Sequence, residues 1–439
     1  MSSNNISIPD SDLPRIVIVG GGFGGIQLAK SLRNKKFQIV LIDRHNYHTF
    51  QPLLYQVATA GLEPDAIAEP LRRIMENQKN FYFRMAEVQE IDTTQQKVLT
   101  SIGEVGYDKL VIACGAMTNY FGSPFADKVF PLKQVHQALD LRSHMLQNLE
   151  QAVLTKSEKE RQSLMNFVVV GGGPTGVEVA GALGELKIHV MPKDYPELDF
   201  RKMEIYLVEA SPRLLNGMSQ KSADKAYRYL KRFDVNIQIN KMVEDFDGEK
   251  VTLSDGSSIP STTVIWAAGV MGNVPKGLDE KVVKRSRIVV DHYNQVSRLE
   301  DVYAIGDIAM MSSEEYPNGH PMLAPVAMQQ AELLAKNLVL TGNGKEMKAF
   351  EYKNKGSMAT IGRNKAVVDL PSLHFGGLMA WFVWMFVHLI SIVGFRNKLV
   401  VLANWIWNYF TYDRGTRLII RPFVRSKKQH NQEEQLPVK

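Results

Sequence analysis

The sequence predicts an α/β fold with two Rossmann-like dinucleotide-binding domains and a C-terminal membrane-attachment region. Two short apolar strands each run into a glycine-rich turn of the form G-x-G-x-x-G, and a helix-forming segment follows each turn. Near the end of the chain lies an uncharged segment rich in tryptophan and phenylalanine. Because such a turn binds a pyrophosphate at a helix N-terminus, two of them indicate electron transfer between two dinucleotides.

The first turn follows a strand over residues 16–19 and precedes a helix over 26–32. Its glycines are Gly20, Gly22 and Gly25. One glycine makes the tight turn, one lets the backbone approach a pyrophosphate, and one lets helix and strand pack closely. A second strand, 38–42, ends in Asp43, which lies 23 residues after Gly20. An acid at that distance is expected to bind the ribose hydroxyls.

The second turn repeats this pattern between a strand over 167–170 and a helix over 177–186. Its glycines are Gly171, Gly173 and Gly176. The matching acid is Glu209, which follows a strand over 204–208 and lies 38 residues after Gly171. That interval exceeds the usual one of about 20 residues, and the excess predicts a loop around 192–196.

Length and composition are those of a globular protein with two or three domains. The chain has 439 residues, of which 45% are hydrophobic and 22% are charged. Residues 1–11 show no secretory signal, which favours the cytoplasm. Cys114 is the only cysteine, so no internal disulfide or cysteine relay is expected. We also expect no metal site, because no His or Cys residues have ligand spacing.

The basic excess, +6 for the whole chain, is concentrated late in the sequence. Between Arg396 and Lys428 lie eight basic residues and one acidic residue, Asp413. The same segment is rich in tryptophan and tyrosine, and this mixture indicates an anionic membrane surface rather than nucleic acid. A solvated basic face is the alternative.

The uncharged segment covers residues 375–395, and its 21 residues could span a bilayer, which takes about 20. Glycines bound it, and it carries a semi-polar stripe suited to packing on protein, made of Trp381, Trp384 and His388. The next segment, 399–412, is amphipathic, with Asn404 and Asn408 on one face. We therefore predict a monotopic protein with this region in the membrane interface. A spanning helix and a purely soluble packing role are the alternatives.

Two features between the motifs each have two interpretations. The stretch 46–61 mixes aromatic, proline and amide side chains, so it either lines a planar ring or is a core-packing loop. Asp307 follows a strand beside a glycine and either binds a ligand or caps a helix. A charged linker is predicted around 156–161, before the second glycine turn.

Taken together, these motifs resemble those of the type II NADH:quinone oxidoreductases, single-subunit flavoenzymes of respiratory membranes. The resemblance covers about residues 14–424 and is carried by four motifs and the tryptophan-rich C-terminal region. The motifs are Gly-Gly-Gly-Phe-Gly-Gly at 20–25, Tyr-His-x-Phe-x-Pro-Leu-Leu-Tyr-Gln at 47–56, Gly-Gly-Gly-Pro-Thr-Gly-Val-Glu at 171–178 and Ala-Ile-Gly-Asp at 304–307.

The resemblance implies that FAD is bound by the first glycine turn, Asp43 and Asp307, and NADH by the second turn and Glu209. It places Glu178 near the nicotinamide and the flavin. The family commonly carries Ala-Gln-x-Ala-x-Gln in its quinone region, where residues 324–329 here read Ala-Pro-Val-Ala-Met-Gln. Pro325 replaces the first glutamine, which leaves Gln329 as the better quinone candidate.

The implied reaction is hydride transfer from NADH to FAD, then transfer of two electrons to a membrane quinone, without a cysteine relay or metal centre. We assign 1–130 and 290–345 to an FAD-binding domain, 131–289 to an NADH-binding domain, and 346–439 to a quinone-side, membrane-anchoring region. The expected location is the cytoplasmic face of the cell membrane, against the bilayer surface. The chain is expected to be either a monomer or a homodimer.

Two other classes of protein would share both glycine turns. One is a soluble NADH-dependent flavin reductase that serves a small redox protein or oxygen, and the other is a non-catalytic NADH-responsive binding protein. The soluble reductase would have little use for the aromatic C-terminal region, whereas the non-catalytic protein could share the whole fold.

Overall fold

Two five-stranded parallel sheets form the framework of the chain in the computed structural model, which describes residues 5–425. The first sheet has the spatial order Val302–Ala304, Lys109–Ile112, Arg15–Val19, Gln38–Asp43 and Phe81–Met85. The second has the order Phe130–Pro131, Thr263–Trp266, Phe167–Val170, Ile205–Glu209 and Val235–Ile239. In each sheet the strand before a glycine turn is central, and the strand that ends in the predicted acid lies beside it.

Eight α-helices of eight or more residues lie within the described part of the chain. In chain order they are α1 (Phe23–Ser31), α2 (Val135–Leu154), α3 (Glu158–Met165), α4 (Pro174–Glu185), α5 (Gln220–Arg232), α6 (Ala324–Gly342), α7 (Leu378–Ser391) and α8 (Phe395–Thr411). Shorter α-helices cover Leu54–Ala58, Leu71–Ile74 and Met191–Asp194. Helix α1 follows the first glycine turn and α4 follows the second, as the sequence predicts.

The chain divides into two compact units. The first unit consists of Met1–Thr49, Ala68–Met117 and Val270–Asn354, and it contains the first parallel sheet with α1 and α6. The second unit consists of Phe50–Ile67, Thr118–Gly269 and Lys355–Lys439, and it contains the second parallel sheet with the other six long helices. Residues 355–425 thus group with the second glycine turn.

Smaller sheets complete each unit, and their strands pair antiparallel except for the parallel pair Arg287–Val289 and Ala309–Met310. The first unit has the three-stranded sheet Val88–Asp92, Lys97–Thr100 and Gly103–Gly106, the pair Tyr47–Thr49 and Ala68–Pro70, and a small sheet of Val283–Lys284, Arg287–Val289 and Ala309–Met310. The second unit has the sheets Val243–Phe246, Lys250–Leu253 and Ser258–Pro260, and Ser357–Gly362, Lys365–Leu370 and Leu373–Gly377. The last strand leads directly into α7.

The first sheet is buried on both faces, which explains its continuous apolar strands. Val17 and Val19 point into one buried cluster, while Ile16 and Ile18 point into the other. This alternation follows from the two-residue repeat of a strand. A sheet covered on both sides fixes the ends of its strands rigidly, and those ends carry the glycine turn and Asp43.

The structure corrects two local predictions. The charged segment expected as a linker forms helix α3, which begins after Ser157 because the Ser157 hydroxyl accepts a hydrogen bond from the Glu160 N–H. The excess residues before Glu209 are only partly a loop. A π-helical turn, Leu186–Val190, extends α4 and passes into the short helix Met191–Asp194, so helix takes up part of the longer interval.

Candidate functional site

The first glycine turn has the close contacts and the open space that a phosphate-binding turn needs. A Cβ on Gly25 would lie 1.9 Å from the Gly20 carbonyl oxygen, so only glycine lets α1 pack this closely on the strand. Gly22, by contrast, has an extended backbone, and a Cβ there would meet no atom within 4 Å. The space in front of Gly22 therefore fits a ligand group that approaches the backbone.

Asp43 is held beside this turn by backbone hydrogen bonds. One carboxylate oxygen accepts from the Gly21 N–H at 2.6 Å, and the other accepts from the His45 N–H at 2.7 Å. The buried His48 ring donates from Nδ1 to the Gly21 carbonyl oxygen at 3.2 Å. Burial lowers the pKa of His48 to about 4, so the ring is neutral at physiological pH and braces the turn without adding charge.

The second turn repeats the arrangement in the second unit. A Cβ on Gly176 would lie 1.8 Å from the Gly171 carbonyl oxygen, while a Cβ on Gly173 would meet nothing within 4 Å. Glu209 accepts hydrogen bonds from the Gly172 N–H at 2.5 Å and the Ser211 N–H at 2.7 Å. The two acids thus occupy matching positions although their distances along the sequence differ.

Asp307 and Gln329 lie in the first unit with the first turn. Asp307 belongs to a short 3-10 helix, Gly306–Ile308, at the end of the outer strand of the sheet. The Gly306 N–H donates to the buried Gln330 side chain of α6 at 2.8 Å. Gln329 points elsewhere, because its amide donates to the Lys353 carbonyl at 3.1 Å and accepts from the Lys353 N–H at 3.0 Å.

Glu178 lies in the second unit, on α4, at the edge of a cavity with a volume of about 110 Å³. The cavity has an aromatic lining of Tyr55, Trp381, Trp384, Trp405, Tyr409 and Tyr412. Burial raises the pKa of Glu178 to about 8, although the Thr360 N–H and the Trp384 indole stabilise the charged carboxylate and lower the pKa. The Thr360 N–H donates to Glu178 Oε1 at 3.3 Å. At neutral pH the Glu178 carboxyl is therefore mostly protonated.

Two arginines also line this cavity: Arg414, which the sequence grouped with the late basic residues, and Arg363, which no motif singled out. Arg414 is buried and pairs with Glu185 at 2.9 Å while donating to the Thr59 carbonyl at 3.0 Å. The guanidinium of Arg363 stacks on Tyr412, with 3.3 Å from its carbon to the ring centroid. Glu185 and Arg414 are 229 residues apart, so no spacing rule could have linked them.

The C-terminal helices dock through their polar and semi-polar faces. The Trp384 ring is buried with its centroid 5.6 Å from that of Trp405 on α8, and the Trp381 ring lies 5.5 Å from that of Tyr409 on α8, so the tryptophans of the stripe pack on protein as predicted. On α8, Asn404 donates to Glu63 at 2.8 Å, and Asn408 donates to the Gly61 carbonyl at 3.2 Å. The asparagine face of α8 thus contacts protein, not water.

The opposite faces of α7 and α8 are apolar and exposed. The large apolar residues with at least half of their surface exposed on these helices are Met379, Phe382, Phe386, Ile390, Phe395, Leu399, Ile406, Trp407 and Phe410. We call these residues the apolar surface. Within residues 5–425 no helix is both long and apolar enough to cross a bilayer. The same part of the chain contains no cluster of three or more His, Cys, Asp or Glu side chains that could hold a metal ion.

Comparisons with known proteins agree with the geometry of both turns. The family model for pyridine nucleotide-disulphide oxidoreductases matches residues 14–331, and the model for the NDH2 C-terminal domain matches 354–412. The type II NADH:quinone oxidoreductase Ndh of Mycobacterium tuberculosis is 34% identical over 94% of this chain and 92% of its own length. The type II NADH:quinone oxidoreductase NdhA of the same organism is 35% identical over 94% of this chain and 91% of its own length.

This chain belongs to the type II NADH:quinone oxidoreductase family. The fold agrees with that membership: the NDH2 structure from Plasmodium falciparum in complex with NADH matches with a TM-score of 0.85 and 21% identity, over 93% of this chain and 100% of that one. A sulfide:quinone oxidoreductase from Aquifex aeolicus matches with a TM-score of 0.70 and 19% identity, over 90% and 95% of the two chains.

As a family member, the chain is an oxidoreductase whose cofactors are FAD and NADH and whose electron acceptor is a quinone. The α/β fold with two parallel-sheet units, predicted from the glycine motifs, is confirmed. When bound, FAD supplies the hydride and electron chemistry, and the chain must hold both dinucleotides and the quinone in position.

Proposed function

We propose that the chain is a monotopic membrane protein that oxidises NADH, and we assign a role to each residue predicted for its cofactor and quinone sites. The observation that carries this proposal is the pair of matching turns, each with an acid fixed by the turn backbone and with open space in front of its middle glycine. The first turn, in the predicted FAD-binding domain of residues 1–130 and 290–345, would hold FAD. The second, in the predicted NADH-binding domain of residues 131–289, would hold NADH.

In the FAD site, Gly20, Gly22 and Gly25 would hold the pyrophosphate at the N-terminus of α1, and Asp43 would accept from the ribose hydroxyls. Both Asp43 oxygens already accept one backbone N–H each, yet a carboxylate has about four acceptor positions, so it can still bind the ribose. Asp307, carried by the short helix beside the same sheet, would contact the rest of the cofactor.

In the NADH site, Gly171, Gly173 and Gly176 would hold the second pyrophosphate and Glu209 would bind the ribose. A carboxylate at this position repels a 2′-phosphate and therefore favours NADH over NADPH. Arg213 is the nearby cation that could reverse this preference. Its guanidinium instead donates to the Asn216 and Met218 carbonyls and to the Gln220 side chain, which supports the preference for NADH.

The cavity beside Glu178 is the part of the second unit best suited to a quinone ring. Its aromatic walls match a planar apolar group, and the protonated Glu178 carboxyl can donate a hydrogen bond or a proton to a quinone oxygen. Gln329, in the first unit, is the quinone candidate that its motif predicts. To donate to a quinone, its amide must first leave the Lys353 backbone.

We further propose that the apolar surface of α7 and α8, within residues 346–439, attaches the protein to the cytoplasmic face of the cell membrane. Monomeric soluble proteins rarely expose such a continuous apolar face. Deleting residues 396–439 should release the protein, although it also removes the Arg414–Glu185 pair. Phe386→Glu is the milder test, since the Phe386 side chain is 65% exposed. Leu154→Glu, at an 80% exposed position on α2, is its matched control.

Membrane flotation separates these expectations. Phe386→Glu should leave the membrane fraction while Leu154→Glu remains in it, and equal behaviour of the two variants would refute attachment by α7. The apolar surface could also join two copies of the chain. A homodimer would show twice the monomer mass of 49.4 kDa in detergent, measured by analytical ultracentrifugation.

One assay tests the proposed reaction against its alternatives. The purified protein should be yellow and should oxidise NADH rapidly only when a water-soluble quinone is added. Equal NADH oxidation with oxygen alone would favour a soluble flavin reductase. Absence of turnover despite NADH binding would favour a non-catalytic NADH-responsive protein.

A further inference from the structure

Helix α5 carries a row of basic side chains along one face. Lys221, Lys225, Arg228 and Arg232 are spaced i, i+4, i+7 and i+11, which places them in one line along a helix. The opposite face packs into the second unit through Ala223, Ala226 and Leu230 among others. Within residues 5–425 none of the four cations forms an ion pair with a carboxylate. We call these four residues the basic row.

The basic row lies beside the start of the exposed helix α7. Lys225 Nζ is 3.5 Å from the Gly376 carbonyl oxygen, and a Cβ on Gly377 would lie 3.5 Å from the Tyr229 hydroxyl of α5. Gly377 directly precedes α7, whose first two residues, Leu378 and Met379, are 47% and 68% exposed. A row of cations thus borders the apolar surface at the end where α7 begins.

The basic residues that the sequence suggested for this purpose are engaged elsewhere. Arg414 pairs with Glu185, Arg417 with Asp194 at 2.5 Å, and Arg421 with Asp140 at 2.8 Å. Lys427 and Lys428 lie outside the described residues. A cation that already pairs with a carboxylate gains little from a lipid phosphate, because it must first lose its partner. Lys398 donates to the Ile390 carbonyl at 2.7 Å, and Arg396 lies 3.8 Å from Asp65. Among the described residues near the apolar surface, the row on α5 is therefore the largest group of cations without a carboxylate partner.

We propose that the basic row binds the headgroups of anionic phospholipids while the apolar surface enters the bilayer. The proposal rests on the membrane attachment proposed above and adds the class of lipid that the protein prefers. An apolar face bordered by Lys and Arg is the arrangement that binds anionic bilayers, in which burial and charge attraction add. Asp224 is the only acidic residue on α5, so it offsets one of the row's four charges.

The test compares vesicles of phosphatidylcholine alone with vesicles that also contain phosphatidylglycerol. The variant Lys225→Gln/Arg228→Gln/Arg232→Gln removes three charges on one face. Each basic residue near an anionic surface raises partitioning about fivefold, so the variant should bind the anionic vesicles about a hundredfold less tightly. Both proteins should bind vesicles of phosphatidylcholine alone more weakly than anionic vesicles, and the variant should bind the phosphatidylcholine vesicles as tightly as the wild type does. The control Lys156→Gln/Lys159→Gln/Lys250→Gln makes the same change in net charge away from α5.

The outcomes separate this inference from the attachment itself. If the α5 variant binds anionic vesicles as tightly as the wild type while Phe386→Glu does not, the inference is refuted and attachment by the apolar surface stands. An equal loss in the control variant would also refute it, because net charge alone would then explain the effect. If the wild type binds neither kind of vesicle, both proposals fail. Flavin absorbance and the thermal midpoint show that the α5 variant is folded.

Discussion

Replacing Glu178 by glutamine should remove a pH-dependent loss of stability that burial imposes on the wild type. The folded carboxyl has a pKa of about 8, raised from 4.5 by burial. Between these values the folded state holds a proton that the unfolded state has released, so stability falls as pH rises through this range. Glutamine stays neutral at every pH and keeps an oxygen for the Thr360 N–H, so the variant should lack this loss.

The size of the effect follows from the two pKa values. Their full difference corresponds to on the order of 5 kcal/mol of unfolding free energy, and the part between pH 5.5 and pH 8 to about 3 kcal/mol. With an unfolding entropy of about 2.1 cal/mol/K per residue, a chain of 439 residues loses about 1 °C of thermal midpoint per kcal/mol. The wild type should therefore lose about 3 °C relative to Glu178→Gln between pH 5.5 and pH 8.

Differential scanning calorimetry of both proteins across this pH range measures the difference between their thermal midpoints. The titration of all other groups affects both proteins equally and cancels in that difference. Glu197→Gln, a change at an exposed position of the same unit, is the matched control and should follow the wild type. Parallel curves for the wild type and Glu178→Gln from pH 5.5 to pH 8 would refute the argument, because a carboxyl with an ordinary pKa is charged throughout that range.

Three further predictions concern the two nucleotides and the quinone. Gly22→Val should fold, because the backbone of Gly22 is extended and no protein atom lies where the side chain would go, but it should lose the flavin absorbance bands. Gly173→Val should keep these bands, but NADH should no longer reduce its flavin. Retention of full flavin absorbance by Gly22→Val would overturn the assignment. The kcat/KM for NADH should exceed that for NADPH at least tenfold, which corresponds to about 1.4 kcal/mol, and Glu209→Gln should narrow the gap; equal values in the wild type would contradict the assignment. In stopped-flow traces, Gln329→Ala should slow the oxidation of the flavin by quinone more than the reduction of the flavin by NADH. Equal slowing of the two steps would mean that the variant lost only the contact with Lys353 and that Gln329 has no quinone-specific role.

The sequence by itself determined the two turns and the acids beside them. Glycine spacing is a local property, because the contact between Gly25 and the Gly20 carbonyl involves residues five apart. Asp43 and Glu209 could also be placed, since parallel strands end at the same edge of a sheet and bring each acid to its turn. Contacts of this kind depend on a short stretch of chain and one strand pairing.

Tertiary structure alone decided the surroundings of Glu178 and the faces of the C-terminal helices. The pKa of Glu178 is raised by burial and lowered by the Thr360 N–H and the Trp384 indole, and these two residues lie about two hundred residues further on and produce no pattern around Glu178 in the sequence. The spacing of Asn404 and Asn408 identified a polar face, but amphipathicity does not say whether that face meets water or protein. Hydrogen bonds to Glu63 and Gly61 turn it inwards. The apolar face is therefore left exposed, because a helix docked by its polar side must present the other.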